Sequence, residues 1–262
     1  VGLGGKFISY FDTLMLTYFG TLEQVGVYNI ILPTALLFMI VVSSISSVFM
    51  PMVSELWTRK KYDKVRTAMR LSYRYIFLFG LPFLLSFVIF SDVIIRLLFG
   101  EEYLFGNIPF KILLLGIIFN FLLEINKSYL VGIGRPKNVF NIVLFGAVMN
   151  IVLNLILIPP LNILGAAIAT SVSYLSMSVY SSNFVKDSLS MKLPIKSWMM
   201  ACIGSLVFLG VIYGTKSLLT QNVWVEIFVG LSMGYTVYLI IMNSFGLLNF
   251  REIKHLINSA LK

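Results

Sequence analysis

The chain has 262 residues, of which 58% are hydrophobic and only 12% are charged. A soluble domain carries roughly 25% charged residues, so this composition excludes a water-facing globular surface. The net charge of +9 is compatible with nucleic-acid binding. However, the basic residues lie between apolar stretches rather than on one amphipathic face, so membrane topology explains them better and we expect no nucleic-acid partner.

Apolar stretches of roughly 20 residues, long enough to cross a hydrocarbon core of about 30 Å, recur along the chain. Eight spans are predicted, at 1–19, 28–54, 73–90, 108–131, 139–158, 164–184, 198–218 and 223–247. Lipid offers no hydrogen-bond partners to the backbone, so each span must be a helix. The predicted fold is therefore all-α, a polytopic transmembrane helix bundle of about eight spans.

The segments between the spans are short. The basic, amphipathic stretch around 57–72 suits an interfacial loop, and SDVIIRLLFGEEY (91–103) suits a helix end or an interfacial segment. The tail 249–262 has amphipathic helical spacing and is predicted to lie on the membrane surface. None of these segments is long enough to form a soluble catalytic domain.

The distribution of Lys and Arg predicts the orientation. Sixteen of the 20 basic residues lie in alternate loops and in the tail, whereas Arg96, Lys111 and Lys216 lie on the opposite side and Lys6 lies inside the first span. The positive-inside rule then places both ends of the chain in the cytoplasm of a multi-pass cell-membrane protein.

The chain starts at Val1 within an apolar segment, and no signal-peptide pattern precedes it. We therefore expect a fragment of a longer protein. The single Cys202 lies in an apolar run and is predicted to be a buried small hydrophobic residue.

Charged and amide side chains inside the spans need an explanation, because a charge at a helix centre costs roughly 2.5–3.5 kcal/mol on insertion scales. Lys6 and Asp12 lie in span one on different faces, and either neighbouring helices satisfy them or they act directly in transport. Span four carries Asn120, Glu124 and Lys127 along one stripe, with Glu124 and Lys127 at i, i+3 spacing.

Span five repeats the pattern with small and amide side chains. Gly146, Asn150 and Asn154 follow one another at intervals of four residues. These residues either pack helices through interhelical hydrogen bonds or line a hydrated interior together with the other polar stripes.

The sequence contains few residue patterns that suit an enzyme. The lone His255 lies in the tail, and no His, Cys or Asp cluster has metal-ligand spacing, so we expect neither a metal nor a cofactor. GIGRPK (132–137) lacks the spacing of a phosphate loop, and a tight cytoplasmic turn explains it. The chain is therefore not expected to be an enzyme.

Several motifs follow one another in a recognisable order. They are SYFDTLMLTYFGTLEQVGVYNIILP (9–33), VFMPMVSEL (48–56), RLLFGEEY (96–103), VGIGRPK (131–137) and MNIVLNLILIPPLNILGAAIATSVSY (149–174). Their order and spacing resemble the polysaccharide flippases (Wzx-type, MATE-like) of the multidrug/oligosaccharidyl-lipid/polysaccharide exporter superfamily. The segment 160–163 departs from that pattern, since an aromatic-Gly pair is common there.

The resemblance implies one lobe of a two-lobed, alternating-access transporter. Residues 1–185 would form a six-helix lobe, 186–248 two additional helices and 249–262 a cytoplasmic tail, and the partner would be an N-terminal lobe of the same protein. The implied activity is flipping of a polyprenyl-diphosphate-linked oligosaccharide for surface polysaccharide, such as lipopolysaccharide O-antigen.

The same resemblance suggests roles for individual residues. Candidate contacts to the diphosphate are Lys6, Lys127 and Arg135. Candidate contacts to the sugars are Asn120, Asn150 and Asn154. Asp12 is a candidate for ion coupling.

Three alternatives remain. A non-transporting membrane scaffold would not need charged residues inside its spans. A multidrug or peptidoglycan-precursor exporter would belong to the same superfamily. A membrane glycosyltransferase or polymerase subunit would belong to another class, but it should show catalytic acids or a sizeable outer loop.

Overall fold

The computed structural model describes residues 3–218 and 222–248, with side chains from residue 10 onward. The predicted tail, with His255, and the side chain of Lys6 lie outside the described residues. All regular structure in the described part is helical. The helices are α1 (Leu3–Phe19), α2 (Leu22–Leu36), α3 (Met39–Thr58), α4 (Tyr62–Tyr75), a π-helix (Ile76–Gly80), α5 (Leu81–Ile89), α6 (Ser91–Leu98), a 3-10 helix (Glu101–Gly106), α7 (Asn107–Gly132), α8 (Pro136–Leu161), α9 (Ile163–Leu189), α10 (Ile195–Leu218) and α11 (Val223–Ser244).

Seven of these described stretches are long and apolar enough to cross a membrane. They correspond to all the predicted spans except the first, whose helix α1 has 17 residues. The prediction of an all-α membrane bundle is thus confirmed. The described residues divide into two compact units, residues 3–62 with 91–191, and residues 63–90 with 192–218 and 222–248. The predicted domain boundary at residue 185 stays a prediction.

The first unit is built around α7, which packs against α9, α3, α2 and α8, while α1 packs on α8. Small residues bring the two central helices close together. A methyl group added at Gly116 of α7 would lie 2.5 Å from Oγ of Ser171 on α9, so only glycine fits this contact. The Ser171 hydroxyl also donates to the Ile112 carbonyl oxygen at 2.9 Å. Such close approach is how helices associate where lipid removes the hydrophobic drive.

The predicted second span is not one continuous helix. It starts earlier than expected, at Thr21, where the hydroxyl accepts from the Gln24 backbone and the Gln24 side chain accepts from the Thr21 backbone. It then breaks between Leu36 and Met39, just after Pro33. Pro33 has no N–H to donate to the carbonyl oxygen of Asn29, so α2 lacks one backbone hydrogen bond in the turn before the proline.

The turn between α7 and α8 explains the GIGRPK motif. Gly134 has a φ of +76°, which side chains other than glycine rarely adopt. Its N–H bonds to the Val131 carbonyl and the Arg135 N–H bonds to the Leu130 carbonyl, closing the helix in a Schellman motif. Pro136 then occupies the first turn of α8, where a missing N–H costs nothing.

The second unit contains α4, the π-helix, α5, α10 and α11. Two side chains bond to carbonyl oxygens around the π-helix. The Trp198 indole donates to the Tyr73 carbonyl oxygen at 3.0 Å, and the Tyr238 hydroxyl donates to the Leu78 carbonyl oxygen at 2.7 Å. A π-helix changes the backbone hydrogen-bonding pattern, so these side chains supply partners within the bundle.

Glycines set the contact between α10 and α11. Gly234 lies against the Phe208 ring, and Gly230 lies against the Thr215 hydroxyl. The Gly-x-x-x-Gly spacing of α11 therefore serves packing within the chain.

The prediction that Cys202 is buried was wrong, because its side chain is exposed on α10. Its apolar neighbours in sequence mark a helix within the membrane and do not decide which face is buried.

Candidate functional site

Asp12 lies at the centre of a polar cluster inside the first unit. It is carried by α1 and has 0% of its surface exposed. The packing of α1 against α8 and α9 turns this face of the helix into the bundle. A carboxyl group buried among helices needs hydrogen-bond partners, since burying it without them costs several kcal/mol.

Side chains from three other helices supply those partners. The Tyr28 hydroxyl of α2 donates to Asp12 Oδ2 at 2.8 Å, and the Thr170 hydroxyl of α9 donates to the same oxygen at 2.7 Å. The Asn154 amide of α8 donates to Asp12 Oδ1 at 2.6 Å. Each of these donors is itself buried. The carboxyl group thus ties four helices together at one point.

A second layer surrounds these contacts. The Asn154 amide also donates to Asn150 Oδ1 at 3.1 Å, and the Asn150 amide donates to Thr170 Oγ1 at 3.3 Å. Asn154 Oδ1 is buried with no hydrogen-bond partner. An unpartnered buried carbonyl oxygen is uncommon, and it leaves one acceptor of the cluster available to a ligand.

We call these five residues, Asp12, Tyr28, Asn150, Asn154 and Thr170, the Asp12 cluster. Among the residues with described side chains, no Lys or Arg forms an ion pair with the carboxyl group of Asp12. The cluster therefore offers carboxylate, amide and hydroxyl oxygens without a built-in positive charge. This is the donor set that a hard cation or a proton requires.

The structure separates the predicted sugar contacts into two groups. Asn150 and Asn154 have no exposed surface. Asn154 contacts Asp12, and Asn150 contacts Asn154. Asn120 is buried on α7. Their assignment to sugars stays a prediction, and the burial of Asn150 and Asn154 favours a role with Asp12 instead.

The predicted diphosphate contacts lie elsewhere. On α7, Lys127 Nζ lies 2.6 Å from Glu124 Oε2, and the two side chains retain 26% and 24% of their exposure. This ion pair is the one predicted from the i, i+3 spacing. Arg135 is exposed where α8 begins. The side chain of Lys6 cannot be placed, since it lies outside the described residues.

Two residues of the Asp12 cluster escaped prediction as site residues. Tyr28 lies within the motif at 9–33, and Thr170 lies within the motif at 149–174. Both motifs carry the resemblance, but neither residue stands out in them as a binding residue. A further network also went unnoticed, in which the buried Asn126 amide donates to the hydroxyls of Ser181 and Ser182. It joins α7 to α9.

Sequence relatives include several membrane proteins. The chain is 31% identical to the membrane protein MJ1068 of Methanocaldococcus jannaschii, over 100% of this chain and 52% of the relative. It is 26% identical to the probable low-salt glycan biosynthesis flippase Agl15 of Haloferax volcanii, over 90% of this chain and 50% of the relative. The chain thus spans about half the length of these curated relatives.

Solved structures agree on the fold. The lipid II flippase MurJ in its inward closed conformation superposes with a TM-score of 0.69 at 22% identity, covering 89% of this chain and 52% of that chain. An outward-facing multidrug resistance transporter of the MATE family superposes with a TM-score of 0.64 at 14% identity, covering 98% of this chain and 65% of that chain.

The MatE family profile matches residues 6–156, which include Asp12, α2 and most of α8. More than half of the chain is covered, and the fold found among the solved structures is the same. The chain is a multi-pass membrane protein that belongs to the MatE family.

Proposed function

We propose that the intact protein flips a polyprenyl-diphosphate-linked oligosaccharide across the cell membrane for surface polysaccharide biosynthesis. This chain would form one lobe of the transporter, with an N-terminal lobe of the same protein as its partner and both ends of the chain in the cytoplasm. The named relative Agl15 supports a glycan substrate. The Asp12 cluster is the observation that supports transport coupled to a cation or a proton.

The cluster suits coupling because its occupancy would change the packing of four helices. A cation entering beside Asp12 would draw the unpartnered oxygen of Asn154 and the surrounding hydroxyl oxygens towards itself. A proton on Asp12 would instead weaken the hydrogen bonds that now hold α1 against α8 and α9. Either event favours one arrangement of α1 over another, which is what an alternating-access cycle requires.

The diphosphate needs positive charge that the Asp12 cluster does not offer. Lys127 is partly exposed, and its present partner Glu124 carries a single charge. A diphosphate carries more negative charge and could compete for Lys127 Nζ, since poorly screened charges interact strongly. Arg135 and Lys6 remain the other proposed contacts to the diphosphate.

Reconstitution of the full-length protein into liposomes tests the function. Lipid-linked oligosaccharide placed in both leaflets is followed by the access of a membrane-impermeant glycosidase. We expect the protein to increase the glycosidase-accessible fraction, and to do so faster under an imposed gradient of Na⁺ or of protons. The two gradients are applied separately, so the faster arm identifies the coupling ion.

The alternatives within the superfamily predict different substrates. Lipid II and a fluorescent cationic drug are tested in the same liposomes. Transport of the drug, with no movement of either lipid, would replace the proposal by a multidrug exporter. Elongation or transfer of the glycan without translocation would favour the enzyme subunit.

A further inference from the structure

Helix α1 has a second polar face, opposite to the Asp12 cluster. Tyr10, Thr13 and Thr17 follow one another at i, i+3 and i+7, so they share one side of the helix. The Tyr10 side chain is 73% exposed, whereas Asp12, two residues later, is fully buried. The side of α1 away from the Asp12 cluster therefore also carries polar groups, beside the 66% exposed Leu14.

Asn29 of α2 completes this face. The Thr13 hydroxyl donates to Asn29 Oδ1 at 2.7 Å, which joins α1 to α2 in an exposed position. The N–H groups of the Asn29 amide have no hydrogen-bond partner among the described residues. The Thr17 hydroxyl donates to the Thr13 carbonyl at 2.8 Å, and its oxygen can still accept a hydrogen bond.

The polar groups of this face are not suited to contact with lipid. An amide placed in hydrocarbon without a hydrogen bond costs roughly 2–7 kcal/mol. Polar side chains within membrane spans therefore usually face the interior of the bundle or a water-filled cavity. The exposed side of α8 gives the contrast within the same unit, because it is apolar from residue 144 to the end of the helix. Its exposed large side chains there are Leu144, Phe145, Val148, Val152, Leu155, Ile156 and Leu161.

We propose that Tyr10, Thr17 and Asn29 bind the sugar rings of the transported lipid, an inference that rests on the proposed flippase function. An aromatic ring offers a flat surface for the C–H face of a pyranose, and the amide and hydroxyl groups suit the hydroxyls of the sugar. From Tyr10 to Thr17 the helix rises about 10 Å, the length of about two sugar rings. We call these three residues the α1–α2 sugar face.

The position of this face links sugar binding to coupling. Tyr10 and Asp12 lie within one turn of the same helix, so a movement of α1 that follows occupancy of the Asp12 cluster also moves Tyr10. A helix transmits such a displacement as a rigid element. Sugar contacts and ion contacts would thus change together.

Binding to the full-length protein in detergent tests the proposal. Two probes are compared, polyprenyl diphosphate carrying chitobiose and the same polyprenyl diphosphate without sugar. We expect Tyr10→Ala and Asn29→Ala each to weaken binding of the glycosylated lipid by about tenfold, and to leave binding of the bare lipid within about twofold, since each tenfold step is 1.4 kcal/mol of lost contact. Tyr10→Phe keeps the ring and should lose less than Tyr10→Ala.

The matched control is Tyr18→Ala. Tyr18 is an aromatic residue of the same helix and is 81% exposed, but it stands outside the sugar face. The Tyr18→Ala variant should bind both lipids with the affinity of the wild-type protein. Equal weakening of both lipids by Tyr10→Ala and Asn29→Ala, or equal affinity of the wild-type protein for the two lipids, would overturn the sugar face while leaving the flippase proposal standing. Failure of the wild type to bind either lipid would overturn both.

Discussion

Replacing Asp12 by asparagine separates the coupling role of this residue from its structural role. The substitution Asp12→Asn keeps the size and shape of the side chain but removes its charge. The hydroxyls of Tyr28 and Thr170, which now donate to Asp12 Oδ2, can rotate and accept from the new amide. The second oxygen position can still accept from Asn154. Apart from Asn154 Oδ1, which already has no partner, each side chain of the cluster can keep at least one hydrogen bond.

The magnitudes predict a folded protein. Hydrogen bonds to a charged group stabilise by about 1.5–3 kcal/mol each, and neutral ones by about 0.5–1.5 kcal/mol. Weakening the three bonds to Asp12 therefore costs about 3–4 kcal/mol. Removing a buried charge returns several kcal/mol, because an ion inside the bundle has lost its hydration. The two effects are of opposite sign and similar size, so membrane abundance should be close to that of the wild type.

For Asp12→Ala we expect the opposite effect on stability, a destabilised protein. It removes all three acceptor contacts and leaves a cavity, and each stranded donor costs about 1–3 kcal/mol. The hydroxyls of Tyr28 and Thr170 lie 3.3 Å apart and can partly satisfy each other. We therefore expect a loss of about 3–5 kcal/mol and a scarce protein.

The assay is parallel measurement of membrane abundance and of ion-driven glycan translocation by the full-length protein. We expect Asp12→Asn to retain abundance and to lose the acceleration by the Na⁺ or proton gradient. Asp63→Asn is the matched control, since the Asp63 side chain is 92% exposed. Normal ion-driven transport by Asp12→Asn would refute the coupling role and leave Asp12 as a purely structural acceptor.

Three further predictions follow from topology and packing. In a Cys202→Ala background, Lys61→Cys should react with a membrane-impermeant maleimide only from the cytoplasmic side, and Glu102→Cys only from the outer side. The reverse labelling would contradict the proposed orientation. The 262-residue chain reconstituted alone should not move the glycolipid, whereas robust transport would contradict the one-lobe proposal. Tyr238→Phe should lower thermal stability in detergent by about 1–2 kcal/mol by stranding the Leu78 carbonyl, and an unchanged melting temperature would argue against that bond.

Much of the fold was accessible from the sequence because lipid imposes simple rules. Hydrophobic length defined the helices and the motif order indicated a MATE-like protein, which the MatE match confirms. The break between α2 and α3 was missed, since the apolar run continues across it. Cys202 was assigned to the wrong face for a related reason. In a membrane helix both faces are apolar, so periodicity does not distinguish lipid from protein.

The candidate site was only partly accessible. Asp12, Asn150 and Asn154 stood out because polar groups are costly in a membrane. Their meeting point could not be predicted, because it depends on how α1 rotates against α8. Tyr28 and Thr170 remained unnoticed as site residues, since single hydroxyls in spans commonly bond to their own helix. Other hydroxyls of α3, α9 and α11 do so here, among them those of Ser43, Ser44, Ser173, Ser176, Ser188, Ser232 and Thr236.

The π-helix at Ile76–Gly80 also has a consequence for how this membrane segment tolerates changes in length. A single π turn accommodates one residue more than an α-helix would at that point. Deleting one residue there would regularise the backbone and leave the later side chains near their present angular positions. Deleting one residue from the regular α-helix beside it would instead rotate every later side chain by about 100° around the axis. The buried side of α5, which carries Leu85 and Ile89, would then turn away from its packing partners. The π turn is thus the place where this membrane segment can lose a residue with the least effect on the packing of α5.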